Sequence, residues 1–131
     1  MNTVYFVNAI AEAVFRAQES SPIPTTFYIG LSATKPTQDG ESIFEPTDSN
    51  YSRVAITFSQ PSGGLVTNSS DIIFPRSQEA WGTMRYFLVF DAQNGGTLLM
   101  YNPLPLPYSV GAGVQPKILA GYLKISVLKN D

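Results

Sequence analysis

The chain has 131 residues, 44% of them hydrophobic and 14% charged, with a net charge of −2. That size suits one domain with one sizeable core, and the composition is too apolar for a disordered tail. It has no run of Lys or Arg to bind nucleic acid or an anionic membrane, and neither Cys nor His, which excludes disulfides, thiolate nucleophiles and the common zinc sites.

Soluble domains average about 25% charged residues, so this chain is short of charge. Its apolar surface must enter a well-filled core or be covered by another subunit. The lack of Cys fits assembly in a reducing cytoplasm. No run of about 18 apolar residues exists to span a bilayer. The apolar N-terminus lacks a basic leader, and Glu12 and Arg16 interrupt it, so it is not expected to be a signal peptide.

Residues 3–18 are predicted to form a helix, since Val7, Ile10, Ala11, Val14 and Phe15 recur at the spacing of one helical face. Asn2 or Thr3 would cap it, and Ser20-Ser21-Pro22 would stop it. Such a helix, roughly 24 Å long, either packs on its own domain or serves self-association through Val7, Ile10 and Val14.

Everything after Pro24 reads as β structure. Strands are expected over Thr25–Ser32, over Ser52–Ser59 (with Val54, Ile56 and Phe58 alternating), and at Leu65–Thr67 and Asp71–Phe74. The longest apolar run, Thr83–Asp91, should be a central strand covered on both faces. Gln93-Asn94-Gly95-Gly96 supplies a hairpin turn, because Asn-Gly tolerates positive φ angles. Thr97–Asn102 then returns, and Pro116–Leu119 and Tyr122–Leu128 close the chain.

Eight short strands separated by turn residues indicate a mainly β fold: a single-domain antiparallel β-sandwich, jelly-roll-like, with one N-terminal α-helix. The helical part is expected within 1–20 and the sandwich within 25–131. Two connections are long. Ala33–Tyr51 carries Asp39, Glu41, Glu45 and Asp48 against Lys35, a local charge of −3. Pro103–Gly113 alternates Pro103, Pro105 and Pro107, which stiffens the backbone and bars it from a central strand.

Little here points to catalysis. Gly63-Gly64 does not continue as a P-loop, and Gly111-Ala112-Gly113 does not continue as a dinucleotide-binding turn. Paired carboxylates in the acidic loop leave a glycan-active or calcium-dependent enzyme conceivable, but the spacing is not that of an EF-hand. A solvated acidic loop is the plainer expectation. No catalytic, cofactor or metal residue is therefore assigned. Trp81, before the central strand, is read either as a core plug or as an interface anchor. Tyr101, Tyr108 and Tyr122 near the C-terminal loops have the same two readings, and Pro105 joins the interface candidates.

The order of short motifs carries a resemblance. Phe27-Tyr28-Ile29-Gly30-Leu31-Ser32 is followed by Pro36-Thr37, Asp39-Gly40 and Glu45-Pro46. Tyr51-Ser52-Arg53-Val54-Ala55-Ile56 comes next, then Asn68 with Ile72-Ile73-Phe74-Pro75. Trp81-Gly82-Thr83 leads into Phe87-Leu88-Val89-Phe90-Asp91-Ala92, and Gly95-Gly96-Thr97-Leu98-Leu99 closes the series. In this order the chain resembles the small tail fibre or structural proteins of tailed bacteriophages, over most of its length. It departs from them at Pro103–Pro107 and at Gln115-Pro116-Lys117. The resemblance implies a non-enzymatic virion protein, assembled in the host bacterial cytoplasm and acting as a tail-fibre or receptor-binding module. A capsid decoration or head-fibre protein that stabilises the phage head is the alternative. Its partners would be copies of itself (a trimer, by analogy), other virion proteins and a host-surface glycan, with no nucleic acid, membrane or cofactor.

Overall fold

The computed structural model describes residues 2–16 and 26–126. Helix α1 spans Val4–Ala11 and continues as a π-helical turn, Glu12–Arg16. Eight strands follow: β1 (Phe27–Ser32), β2 (Val54–Ile56), β3 (Leu65–Thr67), β4 (Ile72–Ile73), β5 (Gly82–Phe90), β6 (Leu98–Val110), β7 (Lys117–Ile118) and β8 (Lys124–Ser126). The expected helix stop at Ser20-Ser21-Pro22, Thr25, and the last residues of the final strand, Val127 and Leu128, lie outside the described residues.

All pairings are antiparallel. The main sheet has the order β2-β1-β5-β6, and β3 pairs with β8 and β4 with β7 in two small ribbons. The fold is mainly β with one helix near the N-terminus, as expected from the sequence. The core lies between the main sheet and the ribbons. Ile29, Leu31, Met84, Phe87 and Val89 from the sheet meet Ile72, Phe74, Trp81, Ile118, Leu123 and Ile125. Each fully buried aliphatic or aromatic side chain here contributes roughly 1.5–3 kcal/mol.

Strand β5 is central, paired with β1 on one side and β6 on the other. Phe87, Leu88, Val89 and Phe90 are all buried. Successive strand residues point to opposite faces, so Phe87 and Val89 enter the main core. Leu88 and Phe90 join Leu98 and Tyr101 in a second cluster on the other face, against Ile43 and Tyr86. The loop after β1 supplies Ile43, which is why this second face stays dry.

The β5–β6 hairpin turns where the sequence placed it. Gly95 (φ 64°) and Gly96 (φ 72°) take left-handed conformations, and the Thr97 N–H donates to Asp91 Oδ1 at 2.8 Å. The expectation of a loop over Pro103–Gly113 is corrected: β6 runs on through the prolines to Val110. It can do so because β6 is an edge strand, where a missing N–H on the outer side breaks no ladder bond. The pairing does slip there. Met84 faces Tyr108 and Tyr86 faces Pro103, so Leu104, Pro105, Leu106 and Pro107 arch out opposite Arg85.

The helix begins where Thr3 caps it. The Thr3 hydroxyl accepts from the Phe6 N–H at 3.4 Å and donates to the Leu98 carbonyl at 2.7 Å. The Thr3 N–H donates to Leu99 O and the Val4 N–H to Gln38 O, which ties the helix start to β6 and to the acidic loop.

Candidate interaction surfaces

Most polar side chains of possible chemical interest turn out to hold the fold together. Asp48, expected within a solvated acidic loop, is buried. Its Oδ1 accepts from the Asn50 N–H at 3.0 Å. Its Oδ2 accepts from the Gln78 N–H at 2.7 Å, the Glu79 N–H at 2.9 Å and Trp81 Nε1 at 2.9 Å. Those backbone donors at Asn50 and Glu79, with the indole and Gln78, hold the carboxyl at about 2, below its usual 3.8. Trp81 itself is buried, edge-on to both Tyr51 (5.3 Å between ring centres) and Phe74 (6.4 Å).

Glu45 is likewise engaged. Arg53 meets it with two parallel bonds, Nε to Oε2 at 3.0 Å and Nη2 to Oε1 at 2.8 Å. The same guanidinium donates to the carbonyls of Ala92 and Gly95 and lies 3.4 Å over the Phe90 ring. Tyr51 donates to Glu45 Oε2 at 2.6 Å and accepts from the Leu31 N–H at 3.1 Å. Burial, and then the Glu45 charge, push its phenol well above the usual range. The picture of one solvated acidic loop is therefore corrected: Asp39 and Glu41 are exposed, while Glu45 and Asp48 are structural. Among the described residues no group of three or more acidic side chains is placed to hold a metal ion.

The placement of three polar residues was not read from the sequence. Ser32 and Lys35 stand at Ser-x-x-Lys spacing, but the buried Ser32 hydroxyl donates to Thr34 O at 2.8 Å and accepts from the Phe44 N–H at 3.1 Å, and Lys35 is exposed. Asn68 is 1% exposed. Its Nδ2 donates to Ser70 O and Leu119 O, both at 2.9 Å, and its Oδ1 accepts from the Leu123 N–H at 3.0 Å. A polar residue between two short strands signals a turn, and nothing in its neighbours announces that it is buried.

What remains on the outside is apolar, in two places. Phe6 is buried and Ile10 half-buried against the domain, which leaves Val4, Tyr5, Val7, Val14 and Phe15 exposed, Phe15 by 85%. The predicted helical face is thus corrected: of its five members only Ile10 packs on the core. The buried stripe of α1 runs through Phe6 and Ile10, one position round from Val7 and Ala11, which belong to the same regular helix and are exposed.

The second place lies at the β6 arch. A hollow of about 530 Å³ is lined by Phe87, Pro103, Pro105, Tyr122, Leu123 and Lys124. Another of about 370 Å³ is lined by Leu104, Pro105, Leu106, Lys117, Leu119 and Tyr122, among others. Pro105 and Tyr122 border both, so the two hollows adjoin in one trough-like region. Leu106 (71%), Leu119 (56%) and Tyr122 (50%) are exposed along it, and Asn68 fixes its wall through Leu119 and Leu123. Of the interface candidates, Val7 and Val14 stand on the helix surface, Pro105 and Tyr108 line the trough, and Ile10 lies half inside. Trp81 and Tyr101 are in the two core clusters.

The model of one protein family, the podophage GP4 fiber I protein gp80, matches residues 2–126. The chain belongs to that family. The fiber I match starts at Asn2, which bridges to Met100, and ends at Ser126, the last residue of β8. Both apolar surfaces therefore fall inside the part that defines a fiber I protein. Membership makes this chain a phage fibre structural protein and a virion component, in line with the resemblance read from the motif order. No curated protein matches the chain.

Proposed function

We propose that the chain is a non-enzymatic tail-fibre module that works by association: with copies of itself, with other virion proteins and, through exposed loops, with a host-surface glycan. The observation that carries this reading is the division of labour among its side chains. Asp48, Glu45, Arg53 and Tyr51 are spent on internal hydrogen bonds, whereas Val14, Phe15, Leu106 and Leu119 face solvent. Large side chains left outside a domain already short of charge are matched by a partner's surface.

Symmetry multiplies a modest interface, so a fibre subunit needs only a small patch per contact. A trimer is the favoured assembly. Family membership supports a fibre protein. Immunogold labelling of purified virions tests the assignment. Label on fibres at the tail is expected; label on the head or its fibres, or none on the virion, contradicts it.

A further inference from the structure

Asn94 and Gly95 lie at the tip of the β5–β6 hairpin, and both are exposed. Gly95 holds φ at 64°, and with no Cβ it leaves its own backbone nitrogen open to the side chain before it. Among the described residues the Asn94 carboxamide has no hydrogen-bond partner, and the Gly95 N–H meets no acceptor. The neighbouring Gln93 differs, since its amide donates to the Arg53 carbonyl at 3.2 Å.

Asparagine is a chemically labile residue, and a free carboxamide beside a free backbone N–H is the arrangement in which it reacts. No other described asparagine has it. The N–H that follows Asn2 donates to Leu99 O, the one after Asn50 to Asp48 O, and the one after Asn68 to Thr57 O. Asn8 lies inside α1, whose hydrogen-bond ladder takes up the next N–H. Asn102 is followed by Pro103, which has no N–H at all. Asp39-Gly40 is a similar sequence, but the Gly40 N–H donates to Thr37 O at 2.9 Å.

We infer that Asn94 is a site of spontaneous deamidation, and that its β-linked product unfastens the hairpin tip from Arg53. The Gly95 nitrogen attacks Asn94 Cγ. The N–Cγ bond forms, the Cγ–Nδ2 bond breaks, and Nδ2 leaves as ammonia with the Gly95 proton. Water then opens the cyclic imide. Addition at Cγ gives aspartate, whereas addition at the main-chain carbonyl gives isoaspartate, with the backbone rerouted through the former side chain. Asn94 and Gly95 line a hollow of about 220 Å³ with Glu45, Arg53 and Gln93, so water reaches the ring.

Isoaspartate adds a backbone atom to a turn fitted to its length. The Gly95 carbonyl accepts from Arg53 Nη1 at 2.6 Å, and the Ala92 carbonyl accepts from the same nitrogen at 3.1 Å. An extra atom before Gly95 shifts its carbonyl relative to that of Ala92, so one nitrogen no longer holds both. The same guanidinium pairs with Glu45, and the loss therefore reaches the loop between β1 and β2.

Storage of the full chain in mildly alkaline buffer tests the inference. Ion exchange should show a growing species with an added negative charge, forming faster as pH rises because the attacking nitrogen must lose its proton. Tryptic peptide 86–117 should carry the change, with fragmentation placing it at Asn94 and isoaspartyl methyltransferase labelling it. Asn94→Gln, whose longer side chain closes the ring far more slowly, should not accumulate this species. The isolated isoaspartate form should unfold at lower urea than the Asn94→Asp variant, which carries the added charge on a normal backbone. Absence of conversion at Asn94, or an isoaspartate form as stable as Asn94→Asp, overturns the inference.

Discussion

Asp48 Oδ2 accepts a hydrogen bond from Trp81 Nε1 at 2.9 Å, across 33 positions of sequence. The same carboxylate gathers the N–H groups of Asn50, Gln78 and Glu79, so a single side chain ties the acidic loop to the approach to β5. It also fixes the indole that plugs one end of the core.

That arrangement has a pH signature. The folded-state carboxyl titrates at about 2, below its ordinary 3.8. The unfolded chain therefore binds the proton first as pH falls. The stabilising contribution is complete above about pH 4 and is lost as pH drops toward about 2. Asp48→Asn should lower the unfolding midpoint at pH 7, and the gap from the unmodified chain should narrow between pH 4 and pH 2. Thermal denaturation at stepped pH measures it, and Asp39→Asn, at an exposed position, should leave the profile unchanged.

Gly30 is required where the Arg53–Glu45–Tyr51 network passes over β1. An added Cβ would stand 2.7 Å from Tyr51 Oη and 2.9 Å from Glu45 Oε2, closer than real contacts allow. Gly30→Ala should destabilise the fold by about 1–3 kcal/mol, the usual cost of overpacking. Urea unfolding with an unchanged slope would report it. Tyr51→Phe, which leaves the Leu31 N–H without its acceptor, should cost a similar amount, about 1–3 kcal/mol.

Three prolines on an edge strand also protect the molecule. Pro103, Pro105 and Pro107 offer no N–H to a passing strand, and proline is a common means of blunting a sheet edge. Replacing all three with valine should leave the fold in place and speed aggregation on gentle heating. Light scattering at matched concentration compares the two chains, and equal rates would remove the protective role.

The sequence was most legible where one element's own residues decide its fate. Tyr86–Phe90 is apolar at every position, and Phe87–Phe90 of β5 is indeed buried on both faces. The Asn-Gly turn is legible for the same local reason. Leu65–Thr67 has the same bounds in sequence and structure. The prolines after Asn102 misled because an edge strand tolerates what a central strand does not, and a strand's place in a sheet is a tertiary fact. The helix was legible as an element, while its buried face was not: apolar residues ring α1 at Val4, Phe6, Val7 and Ile10, so the pattern alone does not say that Phe6 rather than Val7 joins Ile10 on the core. Asp48 and Asn68 were opaque for another reason. A buried polar residue is revealed only by partners such as Trp81 or Leu123, which lie 33 and 55 positions away.

The exposed helix residues give a stability control. Phe15→Ser removes a side chain that is 85% exposed, so it should change stability by no more than about 0.5 kcal/mol. A large loss in chemical denaturation would mean that Phe15 packs on its own domain, and the surface would then be no docking element.

The mass of the unmodified chain as a function of concentration, from sedimentation equilibrium, bears most directly on association as the mode of action. The weight-average mass should climb with concentration to a whole-number multiple of the single chain. A mass that stays at one chain across the full range would contradict the account.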